Sequence, residues 1–314
     1  MLHNKNLILI LYTVIITNFY ILHAHSKIIV SIKPIGFIVA AIADDIIPVE
    51  VLIPDGVSEH NYVLRPSDIR RIKNANLIVW NGPEIEFFLA KLASELPAEK
   101  KLIITNISAL KSLFLKTEDK KEKNNTINYH TSILNCCNNN LMNINTHIWM
   151  SPEIAKQSAI AIHKKLLEIL PNYKIKLDIN LKHFEELLNT VDKYIEEQLT
   201  VVRNKGYFVF HDAYSYFEKH YHLSPLGYFT INPDIQPGLK HLYQIRKQLI
   251  KKKAICIFTE PQFTPSIINA VSRGIKINKA ILDPLGININ LSKDSYTKFL
   301  LQLSNQYKSC LLKD

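Results

Sequence analysis

From Lys27 to Thr105, short apolar runs alternate with stretches in which apolar residues recur every three or four positions. The runs Lys27–Ile32, Val49–Ile53, Leu77–Trp80 and Leu102–Thr105 predict strands. Between them, Ile35–Ala43, Pro66–Lys73 and Ile85–Ser94 predict helices. Pro66 suits the first turn of a helix, where a backbone N–H is not needed. Strands alternating with helices in this way predict a mostly parallel sheet covered on both faces.

The rhythm breaks over residues 116–146. The charged segment TEDKKEK is followed by nine Asn between Asn124 and Asn145, a pattern that predicts a long mobile loop. Ser151-Pro152-Glu153 then opens a helix with a capping Ser and a first-turn Pro. Ile154, Ser158, Ile162, Leu166 and Leu170 continue it at helical spacing, and Pro171 ends it. A second helix is predicted from Tyr173 to Asn204 on the stripe Leu177, Leu181, Phe184, Leu188, Val191, Ile195, Leu199 and Val202. At 1.5 Å per residue it would be about 48 Å long, enough to traverse a whole protein. Beyond it the alternation resumes. Strands are predicted at Tyr207–Phe210, Pro225–Thr230, Ile255–Thr259 and Ile277–Leu282, and helices at Ala213–His220, Pro237–Lys252, Pro265–Arg273 and Ser292–Ser309. The expected fold class is α/β. An N-terminal lobe (27–150) and a C-terminal lobe (205–314) are joined by a helical linker (151–204).

Residues 1–26 have a different texture. Lys5 precedes an apolar run from Leu7 to Leu22, followed by a short polar stretch. The run is shorter than the roughly 20 residues a spanning helix needs. It predicts a secretory signal peptide cut near Ala24 to Ser26. There is no Cys near the end of the run, so a lipid anchor is not expected and the mature chain should be free in the periplasm. That chain, about 288 residues, is long enough for two lobes.

The formal net charge is +10. The lysines look scattered along the chain. Their one dense run, Lys251 to Lys253, ends a predicted helix, where cations suit the dipole. Nucleic acid is therefore not an expected partner. An exported chain permits disulfides. Joining Cys256 to Cys310 would close 54 residues and stabilise the C-terminal lobe by about 4 kcal/mol. The adjacent Cys136 and Cys137 would form an awkward ring with each other.

Ligands in open α/β folds sit beyond the carboxyl ends of the strands. His60 in PDGVSEHNY, His147 in NTHIWMSP and His211 after the strand YFVF all lie at such places. Imidazole nitrogen is a preferred zinc donor, and tetrahedral coordination asks for a fourth group. Glu59 or water would supply it. A carboxylate near three neutral imidazoles would offset the +2 charge, and Glu260 in TEPQF and Asp283 in DPLG are placed to do so from outside the ligand set. Imidazole ligation requires affinity to fall below about pH 6. His163, His183 and His241 are expected to be solvated, and His220 and His222 to cap a helix or lie exposed. Trp80 and Trp149 are expected to pack. No HExxH, CxxC or nucleophile motif is present, which disfavours an enzyme such as a secreted zinc hydrolase.

The segments SIKPIGFIVAAIAD and VEVLIPDGVSEHNYVLRPSDIRRIKNANLIVWNGPEIE, with HIWMSP, FHDAY, FTEPQF and LDPLG, closely resemble the ZnuA-type zinc-binding proteins of bacterial zinc ABC importers. The likeness runs from about residue 27 to 310. It implies two Rossmann-like lobes joined by a rigid long helix, Zn²⁺ bound between them and a permease in the inner membrane as partner. It implies that His60, His147 and His211 are ligands, with Glu59 or water as the fourth, and it matches a Cys256–Cys310 disulfide. The related manganese binders place Glu where His211 stands, so His211 points to zinc. A monomer is expected. One departure concerns the loop before His147. Many relatives crowd it with His, Asp and Glu, whereas here only His130, Cys136 and Cys137 offer soft donors for a second, weaker zinc.

Overall fold

The computed structural model describes residues 26–116, 144–230, 233, 237–251 and 254–313. The signal-like segment, most of the Asn-rich stretch with His130, Cys136 and Cys137, and two residues of the Lys251–Lys253 run lie outside the described residues.

Two four-stranded sheets form, each parallel throughout. The first contains β1 (Ile28–Val30), β2 (Val49–Val51), β3 (Leu77–Trp80) and β4 (Lys101–Ile103) in the order β2-β1-β3-β4. Helices α1 (Lys33–Ile42), α2 (Pro66–Asn74) and α3 (Phe87–Glu95) connect them. The second contains β5 (Tyr207–His211), β6 (Gly227–Thr230), β7 (Cys256–Thr259) and β8 (Asn278–Ile281) in the order β6-β5-β7-β8. Its helices are α6 (Ser215–His220), α7 (Leu239–Lys251), α8 (Ser266–Val271) and the closing α9 (Ser295–Leu311); α4 (Pro152–Ile169) and α5 (Lys174–Leu199) lie between the sheets in sequence. Both sheets repeat one order, so each reverses strand direction of travel beside its first strand. That is where an open α/β sheet leaves a crevice.

All eight predicted strands are present, with ends shifted by one or two residues at several places. The linker helix differs in detail. Its α-helical part is α5, 26 residues, with 3₁₀ turns at Pro171–Tyr173 and Thr200–Val202. Helix ends commonly tighten in this way when their last carbonyls lack regular partners. Ser151 caps α4, its hydroxyl accepting from the Ile154 N–H at 3.2 Å, as its sequence position requires.

The long helix does not hold two independent lobes apart. Leu177, Phe184, Leu188, Ile195 and Leu199 from α5 belong to one apolar cluster with Phe37 and Ile38 of α1 and with Phe299, Leu303 and Tyr307 of α9. Asn180 adds a polar staple, donating to the Ile42 and Asp44 carbonyls at 3.0 Å each. Gly286 lies where the chain crosses between lobes, at φ 63°; a Cβ there would fall 2.8 Å from the Phe37 ring. Such close packing resists large hinge motion, because interiors at crystal-like density do not deform gradually. The disulfide Cys256–Cys310 ties β7 to α9, with Cα atoms 6.0 Å apart. No described helix is long and apolar enough to cross a membrane.

Candidate metal centre

The three histidines arrive from three separate elements. His60 lies in the loop after β2, His147 precedes the 3₁₀ turn Ile148–Met150 that leads into α4, and His211 is the last residue of β5. Each offers a ring nitrogen, and these nitrogens lie within 4.8 Å of one another. Among the described residues this is the one cluster of its kind. The ring centres are 5.0 Å (His147–His211), 5.4 Å (His60–His147) and 5.5 Å (His60–His211) apart.

The tautomers follow from the hydrogen bonds. His147 Nδ1 meets Asn145 Oδ1 at 2.9 Å, and an amide oxygen only accepts, so Nδ1 carries the proton. His211 Nδ1 meets Glu260 Oε1 at 2.7 Å, with the same consequence. With both rings neutral, the two Nε2 lone pairs are aimed at each other across 3.2 Å. Two neutral imidazoles do not gain from that arrangement. A cation between them does. At Zn–N distances of about 2.0–2.1 Å a tetrahedral ion needs its nitrogen donors about 3.3 Å apart. Hydrogen bonding at the far nitrogen also raises the basicity of a histidine ligand and fixes its ring plane.

Charge in the site is unevenly distributed. Burial, reinforced by repulsion from His211, pushes the His60 imidazole down to about 3. Burial and then the neighbouring His211 and His60 hold His147 well below the ordinary histidine range. At His211 burial also opposes the charged form, but the Glu260 carboxylate outweighs it, helped by Glu59 and Asp212, and the net shift is upward. Glu59 is 3% exposed and its Oε1 lies 3.7 Å from His60 Nε2. Asp283 is 3% exposed and, like Glu260, acts through its charge on Tyr214, whose ring lies 6.4 Å from that of His211. Its oxygens accept from the Leu285 and Ile287 N–H groups at 3.0 and 2.7 Å and so shape the crossing loop at Gly286.

Two residues that sequence reasoning passed over organise the centre. Asn145 bonds the ring and the backbone N–H of His147 through Oδ1, at 2.9 and 3.1 Å, and donates to the Asp212 carbonyl at 3.0 Å. It thus fixes the His147-bearing segment to the end of β5 in the other lobe. Nothing in a run of nine Asn distinguishes it. Asn81, after β3, donates to the Thr146 carbonyl at 3.1 Å and braces the same segment. Trp149 packs, as expected, but against the site: its ring lies 5.2 Å from His147 and its N–H reaches the Pro284 carbonyl at 2.9 Å. We expect Asn145→Ala to weaken zinc binding by about 10- to 100-fold, the usual cost of losing a hydrogen bond that orients a ligand. Competition against a chromogenic chelator measures it, and an unchanged affinity would mean that Asn145 serves only the loop.

The other described histidines are not part of this cluster. His163, which was expected to be solvated, is largely buried and pairs with Asp178 at 2.8 Å, joining α4 to α5. His220 pairs with Asp192 on α5 at 2.7 Å. His183 meets Asp294 at 3.3 Å and His241 meets the Phe229 carbonyl at 3.0 Å. His222 is exposed.

Residues 28–310 match the family model described as zinc-uptake complex component A, periplasmic (ZnuA). The high-affinity zinc uptake system protein ZnuA of Yersinia pestis is 50% identical over 292 residues, 92% of each chain. The protein of the same name from Buchnera aphidicola is 40% identical over 295 residues, 93% of this chain and 91% of that one. Among solved structures, a crystal structure of ZnuA superposes with TM-score 0.73 at 22% identity, over 91% of this chain and 99% of that one. The periplasmic zinc-binding protein TroA of Treponema pallidum gives 0.75 at 17% identity, over the same shares. These last two establish the fold. With a family model spanning almost the whole described chain and a relative half identical to it, the chain belongs to the periplasmic zinc-uptake component A family, the substrate-binding parts of zinc uptake systems.

Proposed function

We infer that this protein is the zinc-binding component of an ABC zinc uptake system, which captures Zn²⁺ in the periplasm and delivers it to a membrane permease. We propose His60, His147 and His211 as the protein donors, with Glu59 or a water molecule completing the tetrahedron. The carrying observation is the pair of Nε2 atoms 3.2 Å apart, each with its Nδ1 already committed to a hydrogen bond. Glu260 serves as the acceptor that holds His211. The reading extends to a signal peptide over residues 1–26, a monomer in solution, lobes at 27–150 and 205–314, and a linker at 151–204. The apolar cluster continuous through both lobes favours a small adjustment on loading. As a carrier the protein performs no covalent chemistry: its work is to bind tightly, then release.

The pH dependence tests this directly. With His60 down near 3 and His147 also depressed, two of the three imidazoles are already neutral across the ordinary range. His211 alone, raised by Glu260, must lose a proton to zinc. The sign follows. Above the raised His211 value, affinity is independent of pH. Below it, affinity falls about tenfold per pH unit, one proton's worth. Three ordinary imidazoles would instead give a slope approaching three. Zinc titrations in the presence of a competing chelator from pH 5 to 8 separate the two, and a slope near three would remove the assignment of His60 and His147 as pre-neutralised donors. Competition with Mn²⁺ in the same assay checks the metal: a site with three imidazole nitrogens should favour zinc strongly.

A further inference from the structure

Charge is unevenly placed along this chain. Of its 38 Lys and Arg and 28 Asp and Glu, nine basic residues and one acidic residue fall between Ile235 and Leu282. That stretch has a net charge of +8 out of the formal +10, and the rest of the chain holds 29 basic residues against 27 acidic ones. The single carboxylate is Glu260, which is buried against His211. The lysines that look scattered in sequence therefore belong to a region whose surface bears no acidic side chain of its own.

Helix α7 is the outer helix of this region. Its Ile245 and Leu249 bury against Phe208, Phe229 and Ile257. Its outward side is not polar throughout: Leu239 is 87% exposed, Tyr243 69% and Ile250 61%. At 3.6 residues per turn these three fall within about 40° of arc. Lys240, Lys247 and Lys251, all exposed, follow at about 80–120° from Leu239 on the same scale. Arg246 fixes the helix to its neighbour by donating to the Val271 and Arg273 carbonyls at 2.6 and 2.8 Å. Exposed Arg273 and Lys276 belong to that adjoining segment.

We propose that α7 docks this protein reversibly on an anionic phospholipid surface. Leu239, Tyr243 and Ile250 enter at headgroup depth while Lys240, Lys247 and Lys251 meet the phosphates. An apolar stripe flanked by cations is the pattern of helices that lie in a membrane interface, and long lysine stems let a cation reach phosphate while the stem covers apolar surface. The alternative occupant is an acidic protein. Fixed carboxylates favour the planar, bidentate fork of Arg; Arg246, the one Arg of α7, is committed to backbone carbonyls, and the other three cations of the helix are Lys, point charges on flexible stems suited to mobile headgroups. Such docking would concentrate a soluble carrier near the membrane without anchoring it.

The test uses the zinc-loaded protein and sedimentation with vesicles. We expect binding to vesicles of phosphatidylethanolamine with phosphatidylglycerol, release at high salt, and no binding to phosphatidylcholine alone. Lys240→Gln/Lys247→Gln/Lys251→Gln should weaken binding about 100-fold, roughly fivefold for each cation removed from the surface. Leu239→Ser/Tyr243→Ser/Ile250→Ser should weaken it by about tenfold or more, since burial of the apolar face contributes separately. Both variants alter exposed side chains remote from the histidines, so their zinc affinity and circular dichroism should match the parent and show that the fold is intact. Failure to bind anionic vesicles, or binding that either triple variant leaves unchanged, overturns the proposal. Cross-linking of this face to an acidic protein without vesicle binding would likewise overturn it in favour of a protein partner.

Discussion

Replacing His147 with alanine should lower the affinity for zinc by about 10²- to 10³-fold. A four-donor zinc site is worth about 10–16 kcal/mol at neutral pH. One donor of four therefore carries roughly 2.5–4 kcal/mol, and each 1.4 kcal/mol is a factor of ten. His147 is the cleaner of the two facing imidazoles to remove. Asn145 Oδ1 keeps a partner after the change, because it also accepts from the residue 147 backbone N–H at 3.1 Å. His211→Ala should reduce affinity at least as much, and it should destabilise the metal-free protein as well. It leaves Glu260, 3% exposed, without the imidazole it bonds at 2.7 Å. A buried polar group stripped of its partner costs about 1–3 kcal/mol, more if charged. The contrast between the two variants separates loss of a donor from loss of fold. Chelator competition gives the affinity, and thermal melts of the metal-free proteins give the stability. His163→Ala is the control: its ring bonds Asp178 between α4 and α5, so zinc affinity should hold. An undiminished affinity in His147→Ala would remove the proposed ligand set.

The second large effect concerns the disulfide. Cys256 and Cys310 are both fully buried and 54 residues apart in sequence. The loop-entropy model gives about 4 kcal/mol for closing a loop of that size. We expect the Cys256→Ala/Cys310→Ala protein to melt about 7 °C lower, since unfolding entropy scales at about 2.1 cal/mol/K per residue. Zinc affinity at 25 °C should change little. The bond ties α9 to the first residue of β7, whereas Glu260 follows the last residue of that strand and bonds His211. Melting curves with and without saturating zinc decide it: both should shift down together. A melting temperature unchanged by the double substitution would show that the surrounding core holds α9 without the bond. That core is extensive, with Tyr307 packed among Tyr207, Phe217 and Phe258 and donating to Glu218 at 3.0 Å.

Much of the fold could be read directly from spacing. The eight strands and the helices between them are local patterns, and their order alone pointed to two parallel sheets. Proline and serine marked the start of α4 because caps are decided by residues two or three positions away. Helix ends were read less well. The predicted Tyr173–Asn204 helix closes in 3₁₀ turns at both ends, a choice set by carbonyl partners that periodicity does not contain.

The sequence by itself determined the element order, the placing of three histidines at strand ends, and the family, whose motifs are contiguous words in the chain. Only the tertiary structure decided that two of those imidazoles face each other at 3.2 Å, that Asn145 orients one of them, that Asp283 shapes a loop, and that lysines dispersed in sequence share one side of α7. The physical reason is range. Helix and strand preferences are settled among residues a few positions apart, whereas the tautomer and charge of these imidazoles depend on partners far along the chain, as between His211 and Glu260, 49 positions apart, which become neighbours only when β5 and β7 pair.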